Sequence, residues 1–402
     1  MHAIVVGGGA AGFFAALSVK THHPDAVVTL YEKSNKLLGK VRVSGGGRCN
    51  VTHACFAERK LAAHYPRGER FLRKSFGLFA VNETVAWFQQ RGVELKTEKD
   101  GRMFPITDRS DTIIDCLLSE AERRNVRIVL GTGVSSCTKG SAGFSLSLTD
   151  GSTVHADRVI VTTGGHSKPE GYAWLQALGH TIVPPVPSLF TFNMPEEPIR
   201  DLMGVVADPA RVRIIGTDLE STGPLLITHW GMSGPAVLRL SAWGARVVHE
   251  LGYRFTVQVN WLGGASEDAI RLRYATEEES VRRKQAENAN LFGIPKRLWY
   301  FLLIKAGIAP EAVWGDLTKK ARNRLIDLLT NDRYAVEGKT TFKEEFVTAG
   351  GVALEEVDPL TLQSRVVPGL YFAGEVLDID GITGGFNFQA AWTTGFIAGR
   401  LR

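Results

Sequence analysis

The chain of 402 residues is 44% hydrophobic and 22% charged, which is typical of a folded globular protein with two or three domains. Its apolar runs are far shorter than the roughly 20 residues that a membrane-spanning helix needs. The first residues lack the basic and apolar regions of a secretion signal. Four unevenly spaced cysteines indicate neither a disulfide framework nor a paired zinc motif. We expect a cytoplasmic protein with no membrane association and no metal site, and its oligomeric state stays open.

Positive charge is concentrated in two segments, although the formal net charge is only +5. Residues 33–74 hold eleven Lys and Arg against two acidic residues, which gives a local charge of +9. Residues 271–333 hold thirteen against eight, which gives +5. Such surfaces suit a nucleic acid, the pyrophosphate of a cofactor or an anionic substrate. A basic face that only keeps the protein soluble explains them equally well.

The first thirty residues read as a β-turn-α-β unit. Residues 2–6 form a short apolar run typical of a strand buried on both faces, residues 13–20 favour a helix, and residues 27–32 favour a second strand. A Gly- and Arg-rich loop is predicted over 35–55. Helices are predicted at 77–91 and 110–124, and strands at 126–130, 144–148 and 158–162.

The character of the sequence changes twice. Pro184, Pro185 and Pro187 stop helix formation and indicate a domain crossing. Residues 186–265 are mostly β in character, with strands expected at 210–215 and 254–261, whereas 266–339 are helical and highly charged. After residue 340 the apolar, Gly-rich character of the first part returns. We therefore predict an α/β protein in which one discontinuous Rossmann-like domain, 1–185 and 340–402, carries an inserted β-rich domain, 186–265, and an inserted helical domain, 266–339.

The turn after the first strand carries the pattern Gly7-x-Gly9-x-x-Gly12, with Ala10 and Ala11 between the last two glycines. Gly7 permits a tight turn, Gly9 lets the backbone approach a pyrophosphate, and Gly12 lets the helix pack closely on the strand. Glu32 ends the second strand, where an acid can bind ribose hydroxyls. This context predicts dinucleotide binding. Lys33 is a further candidate for the adenosine portion, although a solvated lysine is the default reading.

Two later segments decide between FAD and NAD. The strand at 158–162 ends in Thr163, Gly164 and Gly165, and the strand at 369–373 ends in Gly374 and Glu375; small residues there let a loop approach a cofactor. A helix then begins at about Asn387. In flavoproteins of the glutathione-reductase superfamily such an acid-bearing segment holds the ribityl and pyrophosphate groups, and the following helix points its N-terminus at the flavin pyrimidine. A helix N-terminus stabilises the negative charge of reduced flavin.

No second complete Gly pattern follows a strand, so a separate NAD(P)H domain is not expected. The other predicted cofactor contacts are Lys40, Gly46, Arg48, Asn50, Val134, Asp380, Gly384, Gly385 and Phe386.

A resemblance to the BaiN/YhiN-like family of FAD-dependent oxidoreductases is carried by segments along nearly the whole chain: SGGGRCN (44–50), FPITD (104–108), TTGGHSKPEGY (162–172), LLITHWGMSGPAVLRLS (225–241), EEFVTAGGV (344–352) and GLYFAGEVLDIDGITGGFNFQAAWTTG (369–395). It implies an FAD domain of the glutathione-reductase type with a β-barrel-like and a helical insert. The family usually has a longer loop after Gly165 than residues 166–170 provide here. Members are described as reducing a ribosomal RNA uracil, oxidising aminoacetone or acting in bile-acid reduction.

Three residues are candidates for chemistry: Cys49, Arg48 and His229. Cys49 could donate a proton to a substrate carbon, with Arg48 lowering its pKa, or simply pack a tight loop; a redox disulfide with Cys55 is disfavoured by the spacing. Arg48 could instead hold flavin or its loop, and His229 could be a core or capping residue. We expect hydride transfer from reduced FAD to an unsaturated substrate, with ribosomal RNA uracil as candidate and NADPH or NADH as transient reductant. The alternatives are a flavin oxidase or dehydrogenase of a small amine or other metabolite, and a non-catalytic RNA- or protein-binding module.

Overall fold

The computed structural model describes residues 1–340 and 347–402. The chain divides into two compact units, Met1–Ser188 with Phe342–Arg402 and Leu189–Thr341. The first three residues of the 344–352 segment quoted above therefore lie outside the described residues.

The first part of unit 1 contains eleven strands and seven helices among the described residues. The strands are β1 His2–Val6, β2 Val27–Tyr31, β3 Thr52–His53, β4 Leu95–Thr97, β5 Arg102–Pro105, β6 Arg127–Val129, β7 Val134–Gly140, β8 Gly143–Leu148, β9 Thr153–Ala156, β10 Arg158–Val161 and β11 Ile182–Ser188. The helices are α1 Ala10–His22, α2 Gly39–Gly47, α3 Glu58–Ala62, α4 Glu69–Phe76, α5 Val81–Gln89, α6 Asp111–Arg123 and α7 Ala173–Ala177. The β-turn-α-β unit is confirmed. The prediction of an unbroken loop over 35–55 is wrong, because a kinked helix, α2, lies within it.

Unit 2 is built on a seven-stranded antiparallel sheet. Its strands are β12 Thr191–Asn193, β13 Val206–Ile214, β14 Glu220–Ile227, β15 Gly231–Ser233, β16 Arg254–Asn260, β17 Asp332–Glu337 and β18 Lys339–Thr340. Its helices are α8 Pro235–Trp243, α9 Ala245–Glu250, α10 Glu267–Thr276, α11 Glu278–Val281, α12 Lys296–Ala306 and α13 Lys319–Asn331. One hydrophobic core joins sheet and helices, because residues such as Val212, Trp261 and Leu302 belong to the same buried cluster.

Unit 1 is completed by β19 Val347–Val352, β20 Leu370–Phe372 and α14 Phe386–Ala398. A five-stranded sheet has the order β20-β10-β1-β2-β6, and every adjacent pair is parallel. The central strands are buried almost throughout, as expected for a parallel sheet covered on both faces. The α/β prediction is thus confirmed, with an antiparallel three-stranded sheet, β7-β8-β9, between β6 and β10 in the chain.

Helices α1 and α14 pack closely because α14 and its C-cap carry two glycines four residues apart. A Cβ on Gly395 would lie 2.5 Å from the carbonyl oxygen of Ala11, and one on Gly399 would lie 2.4 Å from that of Ala15. Both helices are apolar on most sides and largely buried, which is typical of helices inside a core. The close packing fixes the position of the α14 N-terminus relative to the first glycine turn. Among residues 1–340 and 347–402, no helix combines the length and apolarity that crossing a bilayer requires.

Candidate active site

The predicted site residues of unit 1 gather at one edge of the parallel sheet. Gly7 follows β1, Glu32 follows β2, Thr163 follows β10 by two residues, and Gly374 follows β20. The carboxyl ends of parallel strands face the same edge, and ligands of open α/β sheets bind there. Four segments far apart in sequence therefore meet at one place.

The first glycine turn has no room for larger side chains at two of its three positions. A Cβ on Gly12 would lie 1.9 Å from the carbonyl oxygen of Gly7, and one on Gly7 would lie 2.4 Å from that of Thr162. Thr162 also donates its hydroxyl to the carbonyls of Val6 and Gly7, at 3.0 and 2.9 Å. Gly9 is different, because a Cβ there would have no described neighbour within 4 Å. The turn thus closes tightly on the protein side and leaves open space at the α1 N-terminus.

Glu32 organises the backbone at the end of β2. Its two carboxylate oxygens accept the backbone N–H groups of Gly8, at 2.8 Å, and Ser34, at 2.9 Å. Each carboxylate oxygen keeps further acceptor capacity for a ribose hydroxyl. Lys33 is exposed, and its Cβ lies near Gly133, which immediately precedes the predicted contact Val134 at the start of β7.

A carboxylate just after β20 connects α2 and β19. Glu375 accepts Lys40 Nζ at 2.6 Å and the backbone N–H of Thr348 at 2.8 Å. A Cβ on Gly165 would lie 2.8 Å from Glu375 Oε1 and 2.5 Å from Thr348 Oγ1. Gly164 has a positive φ of 72° and open space around it. Lys40 and Glu375, 335 residues apart, are thereby brought together as one ion pair at the sheet edge.

The segment after α2 is folded onto the 104–108 segment. Within α2 the backbone leaves the helix at Ser44, and Gly45 and Gly46 have φ of 59° and 70°. The Arg48 guanidinium donates to Glu98 at 2.6 Å and lies 4.0 Å from the centre of the Phe104 ring. Asp108 is a second carboxylate partner of Arg48, at 3.5 Å. Arg48 therefore holds its own loop against a neighbouring hairpin.

Cys49 is fully buried, with a φ of 61°. Burial raises the pKa of its thiol to about 12, against a smaller lowering effect of the hydrogen bond with Ser44. The expectation that Arg48 lowers the pKa of Cys49 is therefore wrong, because the guanidinium is committed to Glu98 and burial dominates. Cys49 and Cys55 are both free thiols.

The N-terminus of α14 is held by five hydrogen bonds from four polar side chains. The side-chain oxygen of Asn50 accepts the N–H of Gly385 at 3.0 Å. Asn387 bonds both the N–H and the carbonyl of Gly381, at 2.8 and 2.9 Å. Tyr65 donates its hydroxyl to the carbonyl of Phe386 at 2.6 Å. The ring of His53 donates from Nδ1 to the carbonyl of Gly384 at 3.0 Å when that nitrogen carries the proton.

Asp380 is completely buried and is bound by Arg67 through both of its carboxylate oxygens. Ser188 donates a third hydrogen bond to Asp380 at 2.6 Å. Burial raises the pKa of Asp380, and the Arg67 guanidinium opposes that shift. This group fixes the turn that leads into α14.

Sequence reasoning missed four residues of this edge: Arg67, His166, Tyr172 and Thr348. The His166 ring packs edge-on against Tyr172, with 4.9 Å between centroids, and Gly171 leaves room for it, since a Cβ there would lie 2.4 Å from His166 Cγ. Burial lowers the pKa of His166, and Lys33 and Lys40 add to that effect. The shortened 166–170 segment and the family resemblance of segments 162–172 and 344–352 were the signals that pointed to His166, Tyr172 and Thr348.

His229 lies in unit 2, in the turn between β14 and β15, where it is exposed and its ring lies 4.5 Å from that of Trp230.

Two cavities contain none of the predicted site residues. One of about 860 Å³ lies between the end of α5 and α6 in unit 1, and one of about 440 Å³ lies in unit 2.

The arrangement at the sheet edge can be compared with known proteins. The family model described as "HI0933-like protein Rossmann domain" matches residues 1–401. The chain belongs to this family. It is 31% identical over 412 residues to a Clostridium scindens protein named 3-dehydro-bile acid delta(4,6)-reductase, with 98% of this chain and 97% of the relative covered. It is also 31% identical over 403 residues to the ribosomal RNA dihydrouridine synthase of Escherichia coli, with 98% and 95% covered.

Solved structures of two steroid dehydrogenases share the fold of this HI0933-like protein. The Rhodococcus jostii 3-ketosteroid-delta4-(5alpha)-dehydrogenase has a TM-score of 0.51 at 14% identity, with 99% of this chain and 96% of that chain covered. The Sterolibacterium denitrificans 3-ketosteroid delta1-dehydrogenase has a TM-score of 0.52 at 13% identity, with 99% and 98% covered. The predicted family and enzyme class are confirmed: the chain is an FAD-dependent oxidoreductase with a Rossmann-type domain.

The residues of the sheet edge fit FAD. The open space at Gly9 lies at the N-terminus of a thirteen-residue helix, where unpaired N–H groups favour a pyrophosphate. Glu32 has the acceptor capacity that ribose hydroxyls need, and the α14 N-terminus provides a second positive helix end. The cluster offers a helix end suited to a pyrophosphate and a second positive helix end, and these two features fit FAD.

Proposed function

We propose that this HI0933-like protein uses reduced FAD to saturate a carbon–carbon double bond of its substrate, with uracil in ribosomal RNA as the first candidate. The observation that carries the proposal is the meeting of four strand ends at one edge of unit 1, where helix α14 packs through the hydrogen bond from the Gly374 N–H to Thr394. Two relatives with 31% identity are named for reductions, one of a bile acid and one of ribosomal RNA. A ribosomal RNA substrate would place the protein in the cytoplasm.

Bound FAD, once reduced, supplies hydride from its N5 atom. The residues of the chain bind and orient it in this proposal. Gly9 and the first turn of α1 hold the pyrophosphate, Glu32 holds the adenosine ribose, and Lys40 with Glu375 shapes the wall beside the ribityl chain. The α14 N-terminus, set by Asn50 and Asn387, stabilises negative charge on the pyrimidine side of the reduced ring. In this proposal the remaining predicted contacts, among them Val134, Gly164 and Gly384, line the same FAD site.

The proton that follows the hydride requires an acid, and Cys49 and His229 stay the candidates for it. A thiol with a pKa of about 12 is protonated at neutral pH, so Cys49 has the form that a proton donor needs, although its burial requires local opening. Arg48 is proposed as a positioning residue for the 44–50 loop, because its contacts go to Glu98 and Phe104. We propose NADPH or NADH as the transient reductant. We also propose a domain plan in which the β-rich residues 186–265 and the helical residues 266–339 are inserts that share one hydrophobic core.

An acceptor screen tests this function. The purified protein, reconstituted with FAD, is reduced with dithionite under anaerobic conditions and mixed with ribosomal RNA, with a conjugated steroid ketone or with buffer. Return of the oxidised flavin band with RNA supports the proposal, and return with the steroid ketone alone shifts the substrate to a small unsaturated ketone. Bleaching of the oxidised protein by small amines, with no acceptor reoxidising the reduced form, would replace the proposal by an amine oxidation.

Cys49 is tested in the same assay. Replacing Cys49 by Ala is expected to slow flavin reoxidation by about 100-fold or more if the thiol donates the proton, and to leave flavin reduction by NAD(P)H unchanged. C49S serves as the matched variant, because it keeps a side chain of similar size and replaces the thiol by a hydroxyl. Equal reoxidation rates for wild type and C49A would assign Cys49 to packing alone.

A further inference from the structure

One exposed face of unit 1 is basic and contains no ion pair among the described residues. Helix α4 buries Phe71, Leu72, Ser75 and Phe76. Arg70, Arg73 and Lys74 are exposed at spacings of three and four residues, so they share one side of the helix. The neighbouring helix α3 exposes Arg59 and Lys60. None of these five side chains lies within 4.0 Å of a carboxylate in the part of the chain that the structure describes.

The acidic side chains of the same two helices do not balance this charge. Glu58 and Glu69 are exposed as well, and both stand in the first turns of their helices, where a negative charge complements the helix dipole. Five cations against two carboxylates leave a net charge of +3 on about seventeen residues, 58–74, before the paired Arg67 is counted. We call residues 56–74 with this exposed charge the basic arm.

The basic arm is attached to the N-terminus of α14. Tyr65 donates to the carbonyl of Phe386 at 2.6 Å, and the His64 ring stacks on the Phe386 ring with 4.3 Å between centroids. Arg67, between the two helices, is ion-paired to Asp380 just before α14. Charge on α3 and α4 therefore borders the helix end that points at the flavin in the proposed function.

An aromatic side chain stands at the start of the arm. Phe56 has 52% of its surface exposed and lies one residue before the N-cap of α3. Exposed aromatic rings beside cations are the combination that single-stranded nucleic acids use, because bases stack on the ring while phosphates contact the cations. An anionic membrane surface would also attract the cations, but the single exposed ring of Phe56 offers too little apolar area to anchor this face in a membrane, so the surface favours RNA.

We propose that the basic arm docks single-stranded RNA, with Arg70, Arg73 and Lys74 on consecutive phosphates and Phe56 under a base, and so delivers a nucleobase to the flavin edge. The proposal rests on the proposed function, since it names how that substrate is held. Arg59 and Lys60 extend the phosphate track along α3.

Salt dependence of binding gives the sharpest test. Each phosphate contact to a single strand contributes about 0.7 to the slope of log K against log salt concentration, so replacing all three α4 cations by Gln should lower the slope by about 2. The same change weakens binding by about 50-fold at about 150 mM salt, if the three contacts are purely electrostatic. The probe is a fluorescent oligouridylate of about 20 nucleotides, titrated with the FAD-bound protein at several salt concentrations. The matched control is the Gln triple at Arg127, Lys139 and Arg365, which removes the same charge from other exposed positions of unit 1.

The outcomes of these titrations decide the proposal. An unchanged slope in the α4 triple, or an equal loss in the control triple, overturns it. The R70K/R73K variant keeps the positive charges and is expected to bind RNA as wild type does. It therefore separates the effect of losing charge from the effect of changing these two side chains. F56A should weaken oligouridylate binding about tenfold and leave inorganic polyphosphate binding unchanged; equal loss on both probes overturns the stacking role. Loss of binding to phosphatidylserine vesicles with RNA binding intact would mark the arm as a membrane contact and overturn the proposal.

The same variants separate this inference from the proposed function. If wild type forms no dihydrouridine in RNA that it binds, the proposed function fails while the docking surface stands. If wild type forms dihydrouridine and the α4 triple forms it equally well at low RNA concentration, the docking surface fails while the function stands.

Discussion

Two glycines of one turn are predicted to respond in opposite ways to the same added methyl group. Gly9 has φ of −91° and ψ of −170°, a backbone conformation open to alanine, and a Cβ there would have no described neighbour within 4 Å. Gly12 is in the helix, but its Cβ would lie 1.9 Å from the Gly7 carbonyl oxygen, about 1.5 Å closer than the 3.4 Å at which ordinary contact begins. The first position faces open space and the second faces backbone.

The expected magnitudes follow from this difference. In G9A, alanine is a weaker N-cap residue than glycine, but it also restricts the unfolded chain, so the free energy of unfolding without FAD should change by less than about 1 kcal/mol. FAD binding should weaken at least about 100-fold, roughly 2.7 kcal/mol, because the methyl group occupies the approach of the pyrophosphate. In G12A the overlap is with backbone, so the protein without FAD should lose about 3 kcal/mol or more.

The assay pairs urea unfolding of the FAD-free protein with an FAD titration followed by flavin fluorescence. The control is G140A, at a glycine of β7 where an added Cβ would come no closer than 3.9 Å to a described neighbour, and it should match wild type in both. Normal FAD affinity in G9A would refute the placement of the pyrophosphate at α1. A wild-type unfolding free energy in G12A would refute the packing argument.

Three further predictions concern charge and reactivity. Asp380→Asn should lower the free energy of unfolding by about 3 to 5 kcal/mol in urea titrations, because it leaves Arg67 without its buried carboxylate; a loss below about 1 kcal/mol would contradict the buried pair. The hydrogen bonds from Arg123 first, then the charge of Arg91 and the hydrogen bond from Arg124, lower the pKa of Glu120 from 4.5 to about 2. This carboxylate therefore stabilises the fold above pH 4.5, and that contribution is lost as the pH falls from about 4.5 to about 2. E120Q should remove this part of the acid destabilisation, seen as a flatter plot of unfolding free energy against pH than that of wild type. At about pH 8 a thiol reagent should label half-buried Cys55 well before Cys49, whose burial raises its pKa to about 12, and mass spectrometry that finds Cys49 labelled first would contradict the burial.

The opening β-turn-α-β unit was predictable because local patterns suffice for it. The apolar run at 2–6, the three glycines and Glu32 lie within about thirty residues, and each has a local physical reason. The strand ending at Val161 and the one ending at Phe372 were also found from local composition, although their parallel pairing with each other was not.

The rest of the site depends on contacts between distant segments. Arg67 reads as one cation among eleven in a basic stretch, and only the fold brings it to Asp380, 313 residues away. Helix α2 was missed because its triple glycine predicts a loop, while the structure uses Gly45 and Gly46 at the kink. The direction of the Cys49 pKa was mistaken because adjacency to Arg48 says nothing about where the guanidinium points. The direction and burial of a side chain are set by the packed chain. For this reason the sequence could not predict the Arg67–Asp380 pair or the pKa of Cys49.

The proposed reduction of RNA is tested most directly by a single turnover with product analysis. The FAD-bound protein is reduced anaerobically by dithionite, excess reductant is removed, and ribosomal RNA lacking dihydrouridine is added at a molar excess over flavin. The RNA is then digested and its nucleosides are quantified by mass spectrometry. We predict about one dihydrouridine per reduced flavin, formed at the rate at which the oxidised flavin band returns. Reduced flavin that persists in the presence of RNA, with no dihydrouridine in the digest, would contradict the proposal.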